Sequence, residues 1–121
     1  MLVDPITVAA SAPTPALSFS VISYDGNGTT RRDVANGYTL RFSHTQNAKS
    51  GERHYMQITQ TKTAVDPITG GNAALSASVS ISASFPTFGW VQADKDALVK
   101  AILDTLADSD VTTTKFLSFQ S

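Results

Sequence analysis

Cysteine is absent from the 121 residues, and glutamate occurs once, at Glu52. Without thiols the chain has no disulfide framework, no thiolate zinc site and no cysteine nucleophile. Charge of either sign is scarce as well: charged residues make up 16%, nine Lys+Arg against ten Asp+Glu. Near-neutrality of that kind counts against a free-standing, tight RNA binder. No apolar run approaches the ~20 residues of a membrane span. The start, Met1-Leu2-Val3-Asp4-Pro5, lacks the basic residues and long apolar stretch of a signal peptide, so the mature chain is expected to begin there.

What the chain has instead is hydroxyl groups, 14 Ser and 15 Thr, about a quarter of its residues. Helix-rich domains carry more Glu, Lys and Leu, so this bias favours strands and turns. The length fits one domain, 1–121, with a sheet region over 1–86 and a helical region over 87–121. Charge is unevenly spread. Residues 31–62 carry Arg31, Arg32, Arg41, Lys49, Arg53 and Lys62 against Asp33 and Glu52, a net +4, whereas residues from 87 onward sum to −2. The two regions are expected to face different surroundings.

Periodicity locates the elements. In 75–85 every odd position is apolar (Leu75, Ala77, Val79, Ile81, Ala83, Phe85) and every even one is Ser, which predicts a long strand ended by Pro86. Weaker alternation predicts strands over 17–24, 38–45 and 53–63, with a further one at 29–34 and a short one at Ile6-Thr7-Val8. The stretch 9–16 reads as an extended connector. Turn chemistry separates the strands: Asp25-Gly26-Asn27-Gly28, Asn36-Gly37, Lys49-Ser50-Gly51-Glu52 and the longer Asp66-Pro67-Ile68-Thr69-Gly70-Gly71-Asn72. Connectors this short favour an antiparallel meander. In 92–108 the period changes: Leu98, Val99, Ile102, Leu103 and Leu106 follow helical spacing, with Asp94 and Asp96 in the favourable first turn. The Thr-rich 111–119 leaves helix and strand open and leans to the extended form by propensity.

The expected class is therefore α+β, a meander of five or six strands followed by a C-terminal amphipathic helix. Five or six strands ~4.8 Å apart span some 20–25 Å, while one helix covers ~10–12 Å. One helix leaves much of the apolar face bare. An intertwined homodimer with a continuous sheet, its helices crossing onto the partner, would cover face and edge together. Leu98, Ile102, Leu103 and Leu106 are the residues expected to pack the core or the dimer.

No catalytic constellation is recognisable: H-E-x-x-H, G-x-S-x-G, G-x-x-x-x-G-K-[ST] and G-x-G-x-x-G are all missing. No enzyme activity, cofactor or metal is expected. Asp25-Gly26-Asn27-Gly28 has only part of a calcium loop. His44 and His54 could face each other on adjacent strands, but without a third ligand a structural or RNA-phosphate role ranks higher. If Leu40, Phe42, Val79 and Ile81 face the core, then Arg41, Ser43, Thr45, Gln57, Thr59, Thr61, Ser78, Ser80 and Ser82 share the opposite face. Such a surface is either simply solvated or bonds phosphate and sugar oxygens.

The order of elements, with the stretches Tyr38-Thr-Leu-Arg-Phe-Ser, Arg53-His-Tyr, the strand end Pro86-Thr-Phe88 and the helix phrase 96–108, resembles the coat proteins of single-stranded RNA bacteriophages, the leviviruses. The match in order covers about 38–108. The resemblance implies a structural capsid protein of the virion, assembled in the bacterial host cytoplasm. Its partners would be itself, as dimer and icosahedral shell, and genomic RNA, with no membrane. It also implies that the nine polar-face residues meet RNA, including a hairpin bound to repress translation. Asp66, Pro67, Gly70, Gly71 and Asn72 would form contacts between dimers. Well-known members of the family place an aromatic, an Asn and a basic side chain on this face, and the chain departs from them in offering Ser at all three positions of the last strand. The competing reading is a non-viral β-rich binding module or a pilus-like subunit.

Overall fold

The computed structural model describes residues 2–11 and 14–120. Six strands form one antiparallel sheet in chain order: β1 (Ile6–Val8), β2 (Leu17–Asp25), β3 (Gly28–Asp33), β4 (Tyr38–Asn47), β5 (Gly51–Val65) and β6 (Asn72–Phe85). Two helices follow, α1 (Gln92–Ala107) and α2 (Thr113–Leu117). The meander arises because each connector is too short to do anything but turn back, as at Gly26-Asn27 and at 48–50. Strands β4 to β6 run longer at one or both ends than their alternation indicated.

Register sets the two faces. Leu40, Ile58 and Val79 stand opposite one another across β4, β5 and β6, as do Phe42, Met56 and Ile81. With a side-chain period of two, these rows share one apolar face and the intervening residues share the other. The core lies toward the β1–β4 side of the apolar face. Leu17, Phe19 and Leu40 are buried there, with Ile6, Tyr38, Phe42, Met56 and Ile58 packed around them.

The N-terminal segment helps to cover this half. Arg31 pairs with Leu40 on the apolar face and is fully buried. Its Nη1 donates to the Val3 carbonyl and its Nη2 to the Leu2 carbonyl, 3.3 Å away. Asp4 Oδ1 accepts from the Val21 amide at 3.1 Å, so residues 2–4 are tied across β2 toward β3. Asp33, also buried, accepts from the Ser18 amide and from both the amide and the side chain of Asn36. The Asn36 side chain, followed by the Ser18 amide, holds the Asp33 carboxyl below the usual carboxylate range. The basic window of the sequence is thus divided: Arg31 belongs to the interior, because charged groups leave water only when bonded, and here backbone carbonyls receive its two Nη groups.

The other half of the apolar face is bare. Val79 is 74% exposed and Leu75 55%. Helix α1 does not lie over them, and none of its residues is buried. Leu98, Ile102 and Leu103 are about half exposed, so with Leu106 they do not pack the chain's own core as one of the two expected roles required. The reason is how the helix leaves the sheet. It departs past Phe85, where the ring meets Trp90 at 6.5 Å, and its first turns are held by Lys95, which pairs with Glu52 and sits 5.7 Å over the Phe85 ring. At its start the Val91 amide donates to Asp94 Oδ2 at 3.4 Å. Asp94 alone is in the first turn, while Asp96 accepts from Gln92 Nε2 further along.

The C-terminal stretch is a helix and not an extended strand. Thr112 Oγ1 accepts from the Lys115 amide, a cap that outweighs the β propensity of a Thr run. The same hydroxyl chemistry that suggested a strand thus starts a helix. No helix among the described residues is long and apolar enough to cross a membrane.

Candidate nucleic-acid interface

Pairing across β4, β5 and β6 arranges the polar face in rows. Arg41, Gln57 and Ser80 form one row, and Thr59 with Ser78 and Thr61 with Ser76 extend the face to one side. Ser43 and Ser82 flank Tyr55 in the next row, and Thr45 and Ser84 flank Arg53 beyond it. All nine residues expected on this face, Arg41, Ser43, Thr45, Gln57, Thr59, Thr61, Ser78, Ser80 and Ser82, are therefore on one side of the sheet. Adjacent strands are ~4.8 Å apart, so each row is about 10 Å wide over its three strands.

Three residues were missed. Tyr55 and Arg53 have the same parity on β5 as Gln57, Thr59 and Thr61, which places them on the polar face. Arg32, opposite Thr39, adds a third guanidinium from β3. The signal was available: continuing the alternation back from Gln57 by two and four residues reaches Tyr55 and Arg53. The face therefore has an aromatic after all, on β5 and not on the last strand. Within β4–β6 it carries no carboxylate, so Arg41 and Arg53, both exposed, set the sign of its potential. Tyr55 and Gln57 are half-buried among their neighbours, and Thr61 Oγ1 bonds Ser76 Oγ at 2.9 Å. Hydroxyls, amides and guanidinium groups of this kind bond phosphate and sugar oxygens, while a half-buried phenol ring offers a base something to stack on.

The histidines lie elsewhere. His44 and His54 stand opposite each other in the row after Phe42 and Met56, on the apolar face, so the RNA-phosphate role considered for them does not fit their position. Lys62, opposite Leu75, is also on the apolar side.

The loop expected to make contacts spans 66–71, between Val65 and Asn72. Asp66 Oδ1 accepts from the Ile68 and Thr69 amides, which holds its carboxyl below the usual range and shapes the turn. Pro67, Gly70 and Gly71 are exposed at the tip, and the Asp66 amide donates to the Gly71 carbonyl to close it.

No family model matches the chain, and no curated protein matches it. Solved structures do. The virus-like particle of bacteriophage AVE019 superposes with a TM-score of 0.78 at 14% identity, over 90% of this chain and 90% of that one. The virus-like particle of bacteriophage NT-214 gives 0.73 at 10% identity, over 99% and 98%. That of Beihai levi-like virus 21 gives 0.61 at 8% identity, over 92% and 90%. Across nearly its whole length the chain has the fold of the proteins in these phage and levi-like virus-like particles, in agreement with the coat-protein-like fold expected from the sequence.

Proposed function

We propose that this chain is the coat protein of a single-stranded RNA phage, a structural protein that dimerises and closes into an icosahedral shell around its genome. The observation that carries the proposal is the half-covered sheet. The N-terminal segment covers the apolar face over β2 and β3, while Leu75 and Val79 on β6 and Leu98, Ile102 and Leu103 on α1 are left to solvent. A groove of about 400 Å³ between β6 and α1, its apolar lining Ile81, Ala83, Phe85, Leu98, Val99 and Ile102 and its rim the β6 serines, continues this surface beside the edge strand of the sheet. A second copy related by a two-fold axis brings the same edge and the same helix, so strand pairing and helix crossing satisfy both copies at once. The shared fold of virus-like-particle proteins supports the same reading.

In the dimer the polar faces of both copies join into one surface, and closing the shell with that surface inward presents Arg41, Arg53 and Tyr55 to RNA. Packaging then draws on many weak sites at high effective concentration, so each chain needs only modest charge. Tyr55, flanked by Ser43 and Ser82, is the place for a base to stack, and a genomic hairpin seated there would repress translation. Assembly takes place in the host cytoplasm, and the mature location is the virion. Loop 66–71 makes contacts between dimers.

The test is expression of the full chain, nuclease treatment and negative-stain imaging. Uniform hollow particles a few hundred Å across, yielding nuclease-protected RNA on disruption, are the expected result. Small soluble species only, under conditions that favour assembly, would refute it.

A further inference from the structure

We propose that His44 and His54 form a binding site for a divalent cation of tetragonal preference, Cu2+ or Ni2+, with Nδ1 of each ring as adjacent ligands. The two residues are directly opposed across β4 and β5. The His44 amide donates to the Asn27 carbonyl on the β3 side, so its pair with His54 is of the non-hydrogen-bonded kind, in which side chains stand closest. The Nδ1 atoms are hydrogen-bonded to each other at 2.8 Å, and the rings meet edge to face.

A cation that replaces this hydrogen bond at the same spacing meets a defined geometry. Two metal–nitrogen bonds of about 2.0 Å meeting at a right angle place the nitrogens about 2.8 Å apart, whereas a tetrahedral angle needs about 3.3 Å. The pair matches adjacent corners of a square-planar or tetragonal centre with the strands where they are, each ring turning until the lone pairs converge.

Glu52 supplies the outer contact that histidine ligands usually have. Its Oε2 lies 3.5 Å from His54 Nε2, while its other oxygen is held by Lys95 from α1. In the tautomer that places the His54 proton on Nε2, facing this carboxylate, the Nδ1 lone pair is directed at His44. The proton on His44 Nδ1 then moves through water to Nε2 of the same ring, so the cation enters with no net proton release. Phe85, 6.3 Å from the His54 ring, closes one side. Among the described residues no group of three or more His, Asp or Glu is arranged to hold a metal, so solvent or an anion completes the shell. An occupied site would tie β4 to β5 and, through Glu52 and Lys95, to the root of α1.

The experiment is titration of the full assembled chain with Cu2+, followed by electron paramagnetic resonance and thermal unfolding. One tetragonal Cu2+ per chain with hyperfine structure from two nitrogens, and a Tm that rises with Cu2+, are expected. These are the only two histidines in the chain, which makes the nitrogen signature specific. His44→Gln or His54→Gln should weaken binding at least tenfold, and Glu52→Gln about tenfold. Binding unchanged in both histidine variants, a wild-type spectrum without imidazole nitrogens, or Zn2+ held as tightly as Cu2+ would overturn the proposal. The wild-type spectrum decides the matter even if a variant fails to fold.

Discussion

Two glycines with left-handed backbones separate conformational strain from steric blockage. Gly51 has φ +87° and Gly70 has φ +72°. A Cβ at Gly70 meets nothing within 4 Å, whereas one at Gly51 falls 2.0 Å from the Phe85 carbonyl oxygen and 2.8 Å from the Pro86 carbonyl carbon. Gly70→Ala therefore bears only the left-handed penalty, about 1–2 kcal/mol. Gly51→Ala bears the same penalty and must also move backbone atoms that cannot rotate away, an overpacking cost of about 1–3 kcal/mol more. The sum, about 2–5 kcal/mol, is a large part of the stability of a small domain. The displaced carbonyl is at the Glu52–Phe85 pair, where β6 ends and α1 departs, so the damage reaches the helix root. Urea unfolding of both variants at equal protomer concentration measures the difference, since stability of an oligomer depends on concentration. Equal losses for Gly51→Ala and Gly70→Ala would refute the steric account.

On the polar face, Tyr55→Ala should weaken binding of single-stranded RNA to the full chain by about 1–3 kcal/mol in filter binding, while negative-stain imaging still shows particles. Arg41→Gln should flatten the dependence of log K on log salt by roughly 0.7, the contribution of one phosphate contact on a single strand. Asp33 has its carboxyl pKa held low by Asn36 and Ser18, so its bonds stabilise the fold above the ordinary carboxylate pKa and are lost as pH falls through the lowered one. Thermal unfolding at stepped acid pH should accordingly show a shallower acid loss for Asp33→Asn than for wild type. Glu52, lowered mainly by Lys95, and Asp66 shift the same way and supply the slope that remains.

Most strands could be read in the sequence because a sheet with one apolar and one polar side imposes alternation, and 75–85 keeps it without a break although its apolar side is bare in the single chain. Arg31 and Asp33 could not: they occupy apolar-face positions, and only the Leu2 and Val3 carbonyls and Asn36, distant or turn-borne partners, make that tolerable. Tyr55 and Arg53 were legible by parity but looked like the opening of a strand and not like part of its polar face. The exposure of Leu98 and Ile102 follows from where α1 points, and periodicity records only that a helix has an apolar side. Residues 111–119 misled because Thr serves both a strand and a helix start, and here the Thr112 hydroxyl caps the Lys115 amide.

The central claim is that the bare half of the sheet requires a second copy. Native mass spectrometry of the full chain under dissociating but non-denaturing conditions tests it most directly, with Val79→Asp beside the wild type. The expected smallest folded species is twice the 12.8 kDa chain mass, lost in Val79→Asp, which places a charge on the exposed apolar β6 surface that a second copy would cover. A stable, folded species of 12.8 kDa in the wild type would contradict it.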